Sequence, residues 1–242
     1  WGPYLLNRYG LMLGGDKDPR TGERRDAWLL SQWHLDLLTK RGAGTGVDFF
    51  DTRQHENPNL GWLKLYHIRD FDSTQNRSGI RRANVAENRF RLQLRHRLRL
   101  PDVLPGGTSH LDANLTYLSD RFYLEDYDPS TFRVEPNPDN TLALTHRRER
   151  NLLTLWTRLR PNSFYQSDTR LPEFALDQVR QPLFNSPILH EGQFVAGLYN
   201  EHLPTFGRRS LKAEAASLQP GDPRITEINT ILAEHGYPRL HL

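Results

Sequence analysis

Residues 89–100 read RFRLQLRHRLRL, and basic or polar side chains alternate there with apolar ones, His96 being the exception. Successive side chains of a β-strand point to opposite faces, whereas a helix would spread these residues around its circumference. The stretch therefore predicts a two-faced strand. One face carries Arg89, Arg91, Gln93, Arg95, Arg97 and Arg99, and the other carries Phe90, Leu92, Leu94, Leu98 and Leu100. Its length is close to the roughly 9–11 residues that a tilted strand needs to cross a bilayer.

The composition narrows the class of protein. The 242 residues have a net charge of +3, no cysteine and a mean hydropathy of −0.72. No apolar run reaches the roughly 18 residues of a transmembrane helix, although a strand that alternates would hide its apolar side chains among polar ones. The balanced charge, and the lack of aromatic residues on the arginine side of the strand, argue against a nucleic-acid partner. Without cysteine, disulfides and thiolate metal sites are excluded from this sequence.

Residues typical of turns separate further segments in which polar and apolar side chains alternate. Most of the connections are short, but two long polar loops are predicted at 70–87 and 119–139. The predicted strands lie at 4–13, 28–38, 43–52, 60–69, 89–100, 110–118, 141–147, 152–160, 170–179 and 192–200. This order predicts an all-β fold, namely an incomplete segment of an antiparallel up-and-down transmembrane β-barrel. We expect residues 1–209 to form the barrel strands. Residues 210–242 should form a loop insertion with one short helix from Asp222, a potential N-cap, to Gly236.

Two local patterns refine this picture. Gly42, Gly44 and Gly46 alternate within one predicted strand, which favours a crowded wall or a bend. Five residues at 55–59, including Pro58, predict a turn before the next strand.

No pattern of catalytic residues is found, so the sequence predicts neither an enzyme nor a cofactor. There is no HExxH, phosphate-binding loop or G-x-S-x-G motif. Carboxylates at Asp120, Glu125, Asp126 and Asp128 have the chemistry of a Ca²⁺ site, but their spacing is not that of an EF-hand, and a plain acidic turn is favoured. We therefore predict no metal site.

The arginine strand has three interpretations: a surface strand of a soluble protein, a nucleic-acid-binding sheet, or a barrel strand with arginines in a wet lumen. An arginine that faces lipid at mid-membrane costs about 2–4 kcal/mol, so in a barrel all five must face water and the leucines must face lipid. The alternation alone does not separate the first interpretation from the third.

The segment from Leu111 to Phe174 resembles the lipopolysaccharide-assembly outer-membrane barrel, the LptD family, also called organic-solvent-tolerance protein. The resemblance rests on Ser119-Asp120, on FYLEDY at 122–127, on Leu155-Trp156, on FYQ at 164–166 and on RLPE at 170–173. Lys40-Arg41-Gly42 and the arginine strand are also similar to early strands of that barrel. The similarity covers most of residues 1–200, and we expect a fragment of a larger barrel.

The resemblance implies a function in transport. Members of the family insert lipopolysaccharide into the outer leaflet of the bacterial outer membrane, with a plug lipoprotein inside the barrel and a periplasmic bridge protein that supplies the lipid. Candidate residues of the lumen, which could contact anions, are Arg89, Arg91, Arg95, Arg97, Arg99, Arg158 and Arg160; candidates that face lipid are Phe90, Leu92, Leu94, Leu98 and Leu100. Alternatively, the arginines pair with acidic groups of neighbouring strands and hold the wall together.

Two other functions stay open at this point. A passive porin-like channel would use one of the long loops as a constriction, and a soluble β-rich domain that binds sugars or anions would cover its apolar face with a second sheet.

Overall fold

The computed structural model describes residues 2–54, 60–76, 79–82, 85–101, 105–165, 167–184, 186–219, 221–234 and 239–241. The chain is mostly antiparallel β-sheet, with 53% of residues in strands and 16% in helices, so the prediction of a β fold is confirmed at this level. Among the described residues, no helix has the length and apolar character needed to cross a membrane.

The strands and helices follow one another in a simple order. The strands are β1 (Tyr4–Leu13), β2 (Asp16–Lys17), β3 (Arg24–Arg25), β4 (Leu29–Leu38), β5 (Gly42–Asp51), β6 (Trp62–Asp70), β7 (Asn88–Leu100), β8 (Thr108–Leu118), β9 (Thr141–Arg147), β10 (Asn151–Arg158), β11 (Ser167–Pro182), β12 (Leu189–His202) and β13 (Arg239–His241). The helices are α1 (Tyr123–Tyr127), α2 (Pro129–Val134), α3 (Thr205–Ser217) and α4 (Pro223–Glu234), with a 3-10 turn at Thr52–Gln54.

Each predicted strand is present, and most boundaries agree within two residues. The largest differences are β11 and β12, which extend beyond the predicted segments because their pairing continues past two register shifts. The prediction of an irregular loop at 119–139 was wrong, since α1 and α2 lie there. The tail helix is found as α4, but α3 before it was not predicted. The turn at 55–59 and the expected end of the tail helix, at Gly236, lie outside the described residues.

The chain divides into two compact units, Trp1–Arg97 with Asn114–Pro138, and Leu98–Ala113 with Asp139–Leu242. In unit 1, β1, β4, β5, β6 and β7 pair antiparallel in that order. Their register places apolar residues side by side across the sheet, in the row Tyr9–Trp33–Val47–Leu65–Leu92. The next row is polar and reads Gly10–Gln32–Asp48–Lys64–Gln93. Because side chains alternate between faces, this register gives the sheet one apolar and one polar face.

Unit 2 repeats the same separation in its own strands. Leu155 of β10 pairs with Phe174 of β11, and Leu176 of β11 pairs with Phe194 of β12. These four side chains are exposed, and the rings of Phe174 and Phe194 meet edge to face with centroids 6.2 Å apart. On the opposite parity, Trp156 pairs with Glu173. Unit 2 also holds α3, α4 and the short strand β13 beside β12.

The alternating glycines of β5 make room for one tyrosine. Tyr66 of β6 lies across β5, and its hydroxyl donates a 2.7 Å hydrogen bond to Asp36 of β4. A Cβ at Gly44 would lie 2.2 Å from the Tyr66 hydroxyl oxygen, and a Cβ at Gly46 would lie 2.7 Å from the ring. The expectation of a crowded wall is thereby explained, because these two positions have no space for a side chain.

We expect Gly44→Ala to destabilise the chain by about 1–3 kcal/mol, the usual cost of overpacking a tight site, because Tyr66 must leave Asp36. Gly10→Ala is the matched control, since the nearest atom to its added Cβ is 3.7 Å away, an ordinary contact. Urea unfolding followed by tryptophan fluorescence measures both, and equal midpoints for the two variants would contradict the crowding.

Candidate functional site

The polar face of unit 1 holds a group of interlocked charges, which we name the buried charge cluster. It comprises Arg41, Asp70, Arg82, Arg89, Asp120, Asp126 and Tyr127. Three arginines face three aspartates, so the charges of this set balance. Arg89, Asp70 and Asp126 are completely buried.

Arg89 lies at the centre of this cluster. Its Nε and Nη2 donate to the two carboxylate oxygens of Asp120, both at 2.9 Å. Its Nη1 donates to Asp126 at 2.8 Å and to Asp70 at 3.1 Å. Such bidentate, charge-assisted hydrogen bonds are the strongest that a guanidinium group makes. A completely buried cation is tolerated here because each of its donor nitrogens meets a carboxylate.

Three further groups complete the cluster, and the first is Arg82, whose Nη1 donates to Asp126 at 2.8 Å. The Nη2 of Arg41 lies 2.9 Å from Asp70, and its Nη1 donates to the backbone oxygens of Asp72 and Gln75. The hydroxyl of Tyr127 donates to Asp70 at 2.7 Å. Burial raises the pKa of Tyr127, and the bond to Asp70 raises it further, so this hydroxyl is held as a neutral donor.

The segment of α1 and α2 is bound to the polar face by this cluster and by two further ion pairs. Arg91 donates to Asp128 at 2.8 Å, and Arg95 donates to Glu135 at 2.9 Å. Asp128 also caps α2 by accepting a hydrogen bond from the backbone N–H of Thr131. Burial alone would raise the pKa of Asp128, but hydrogen bonds from Ser130 and Thr131 and the charge of Arg91 together lower it below its ordinary value. The carboxylate is thus ionised at neutral pH.

A cleft of about 800 Å³ opens in unit 1, lined by residues of β1, β4, β5, β6, β7 and the α1–α2 segment. Its lining includes Arg8, His34, Asp36, Asp48, Phe50, Lys64, Tyr66, Arg91, Tyr123, Tyr127, Asp128 and Ser130. Polar and aromatic groups therefore line a space large enough for a ligand of drug size.

The opposite face of unit 1 is apolar and exposed. Tyr9, Trp33 and Leu35 are 62%, 51% and 51% exposed, and Leu92 of the arginine strand is 37% exposed. In an ordinary soluble protein, a contiguous exposed apolar surface of this kind marks a site of contact with another protein or with a membrane.

The candidate arginines of the lumen fall into two groups. Arg89, Arg91 and Arg95 lie on the polar face and are paired with carboxylates. Such pairing is what the structural alternative predicted, in which the arginines hold the wall together. Most of those carboxylates belong to the segment after β8 rather than to neighbouring strands. Arg97 and Arg99, at the end of β7, are exposed.

The two other candidate arginines also have hydrogen-bond or ion-pair partners, and the apolar candidates differ in their exposure. Arg158 forms an ion pair with Asp139 at 2.9 Å, and Arg160 donates to the backbone oxygens of Ser163, Tyr165 and Leu203. Of the apolar candidates, Leu92 and Leu98 are exposed, and Phe90, Leu94 and Leu100 are half-buried. Phe90 packs against Tyr117 with ring centroids 5.4 Å apart.

Sequence reasoning missed the partners of the arginine strand. The carboxylates weighed as a Ca²⁺ site each meet arginine: Asp120 with Arg89, Glu125 and Asp126 with Arg82, and Asp128 with Arg91. No group of potential metal ligands is found among the described residues. The sequence did contain a usable signal, namely opposite charge. The segment that follows β8 is rich in acidic residues, and the strand before β8 is rich in arginine.

Comparison with known proteins identifies no relative: no family model, no curated protein and no solved structure matches this chain. The resemblance to the lipopolysaccharide-assembly family therefore stays a prediction.

We expect Arg89→Met to destabilise the chain by about 3–5 kcal/mol, because removal of one partner leaves buried carboxylates without compensation. Arg99→Met, at an exposed position of the same strand, should change stability by less than about 0.5 kcal/mol. Denaturant unfolding of both variants measures the difference, and a similar cost for the two would show that the cluster does not stabilise the fold.

Proposed function

We propose that the chain forms part of the wall of an outer-membrane β-barrel that inserts lipopolysaccharide into the outer leaflet of the bacterial outer membrane. One observation carries the membrane part of this proposal: unit 1 exposes much of its apolar face, whereas the charged side chains of the buried charge cluster lie on the other face. The row Tyr9–Trp33–Val47–Leu65–Leu92 lies on the exposed face, and Arg89 lies completely buried on the other. A lipid environment stabilises this arrangement, whereas water penalises it.

The strand pattern supports the same environment. Lipid-facing and lumen-facing residues alternate along the strands of membrane barrels, and aromatic residues gather near the two interfaces. Tyr9 and Trp33 supply exposed aromatic side chains on the apolar face of unit 1. If the chain were a soluble domain, a second sheet should cover the apolar face. Among the described residues of unit 1, however, Trp33, Leu35 and Leu37 on that face are about half exposed.

The assignment to lipopolysaccharide transport rests on the sequence resemblance, and the polar face of unit 1 is compatible with it. In such a protein the lipid, a plug lipoprotein and a periplasmic bridge protein would be the partners, and no enzymatic reaction is required. Arg89, Arg91 and Arg95 would serve this function indirectly, because their guanidinium groups already bind the α1–α2 segment.

A second candidate, a passive porin-like channel, is favoured by the α1–α2 segment itself. A porin narrows its pore with a loop folded onto the inner wall, and the segment 119–138 folds onto the polar face through Asp120, Asp126, Asp128 and Glu135. The two functions share the barrel and differ in what passes through it.

For the membrane part, we expect Leu35→Arg to destabilise protein folded into phospholipid vesicles by about 2–4 kcal/mol, the cost of an arginine facing lipid. Gln32→Arg is the matched control on the same strand, because Gln32 lies on the polar face and lines the cleft. Urea unfolding in vesicles, with heat-modifiable migration on gels as the folding assay, compares them. A chain that folds in buffer without lipid, or that tolerates both arginines equally, would contradict a membrane wall.

For the transport part, a photoreactive amino acid in place of Arg95 should form a lipopolysaccharide adduct in living cells. Arg95 is suitable because its side chain is 29% exposed on the polar face. We expect this adduct to disappear when the periplasmic bridge protein is depleted, while an adduct formed at Leu94, on the apolar face, persists. A chain that folds into the membrane but gives no lipopolysaccharide adduct at position 95 would favour the porin-like channel.

A further inference from the structure

Of the described carboxylates that line the cleft of unit 1, Asp36 and Asp128 accept hydrogen bonds from the cleft wall. Asp36 accepts the hydroxyl of Tyr66 at 2.7 Å. Asp128 accepts Arg91 at 2.8 Å, and the Oδ2 of Asp48 lies 3.1 Å from the Nε2 of His34. The carboxylates of Asp36 and Asp128 are therefore directed at residues of the cleft wall.

Two cations of the same cleft are not engaged in this way. Lys64 and Arg8 form no ion pair and no hydrogen bond with any residue in the described part of the chain. Lys64 is half-buried between aromatic rings, with its Nζ 4.7 Å from the centroid of Trp62 and 6.0 Å from that of Phe50. An ammonium group carries three donors, and partial burial without an acceptor is costly.

Of the two carboxylates whose charge acts on Lys64, Asp128 is bound by Arg91, so Asp48 is the one left to compete for the lysine. The two residues are direct cross-strand partners, and the Oδ1 of Asp48 is buried without a hydrogen-bond partner. The Oδ2 of this carboxylate is turned towards His34, whereas the Nζ of the lysine, which lines the cleft, lies against the rings of Trp62 and Phe50.

We infer that this cleft is a binding site for a sugar that carries an oxyanion, either a phosphate or a carboxylate group, with Lys64 as the main anchor and Arg8 as a second cation. The oxyanion would supply the acceptor that Lys64 lacks. The cleft has a volume of about 800 Å³, far more than an inorganic ion fills, and its aromatic walls at Phe50 and Tyr66 offer flat surfaces to a sugar ring. Unit 1 alone forms this site, so the inference does not depend on what the barrel transports.

Titration calorimetry on the full chain in detergent tests the inference with glucose 6-phosphate, glucuronate, inorganic phosphate and glucose. We expect both anionic sugars to bind, glucose to bind at least about tenfold more weakly, and Lys64→Gln to weaken the anionic sugars about tenfold or more, as for a lost charge-assisted contact. Lys17→Gln is the matched control, since Lys17 is exposed in the two-residue strand β2. Heat-modifiable migration must be unchanged in every variant.

Two further measurements identify which anionic group the site recognises and what Asp48 contributes. Inorganic phosphate that competes with glucose 6-phosphate but not with glucuronate would assign the site to phosphate; competition with both would assign it to oxyanions in general. Asp48→Asn should tighten binding of the anionic sugars. No binding of either anionic sugar, equal binding of glucose, or lost binding in Asp48→Asn would overturn the inference, and none of these results would bear on vesicle insertion.

Discussion

The fold of unit 1 depends on the neutralisation of Arg89. A guanidinium group without solvent contact is sustainable only because Asp120, Asp126 and Asp70 together accept from three of its nitrogens. Two of these aspartates belong to the segment after β8, so the ion pairs also decide where that segment lies. Tyr127 extends the same network from α1 to Asp70. The position of the α1–α2 segment on the polar face, beside the cleft, thus depends on one buried charge.

The register of the strands gives this network its setting. Each residue of β4 is paired so that Trp33, Leu35 and Leu37 share one face with Tyr9 and Leu5, while His34 and Asp36 share the other with Arg8 and Leu6. A slip of one residue would exchange the faces and bring arginine to the apolar side. The register is stabilised further at Gly44 and Gly46, where the absence of side chains lets Tyr66 cross β5 and reach Asp36.

The polar face separates structural charges from available ones. Arg89, Arg91 and Arg95 are engaged by carboxylates, although their regular spacing made them the most prominent candidates for binding. Lys64 is inconspicuous in the sequence, and yet it lines the cleft, where it contacts the rings of Trp62 and Phe50 and forms no ion pair with any described residue. Spacing along one strand does not reveal which charged side chains have partners, because those partners come from a distant segment. Arg89 and Asp120, for example, are 31 residues apart in the sequence.

The sequence by itself determined the strands and their two faces, because an alternation as regular as that of residues 89–100 is compatible only with extended backbone. It also indicated crowding at the glycines of β5. Only the tertiary structure decided that the residues after β8 form helices, that Asp126 meets Arg82 and Arg89, and that Lys64 is left facing a cleft. The physical reason is that periodicity is a local property of the chain, whereas the pairing of charges depends on which distant segments the fold brings together.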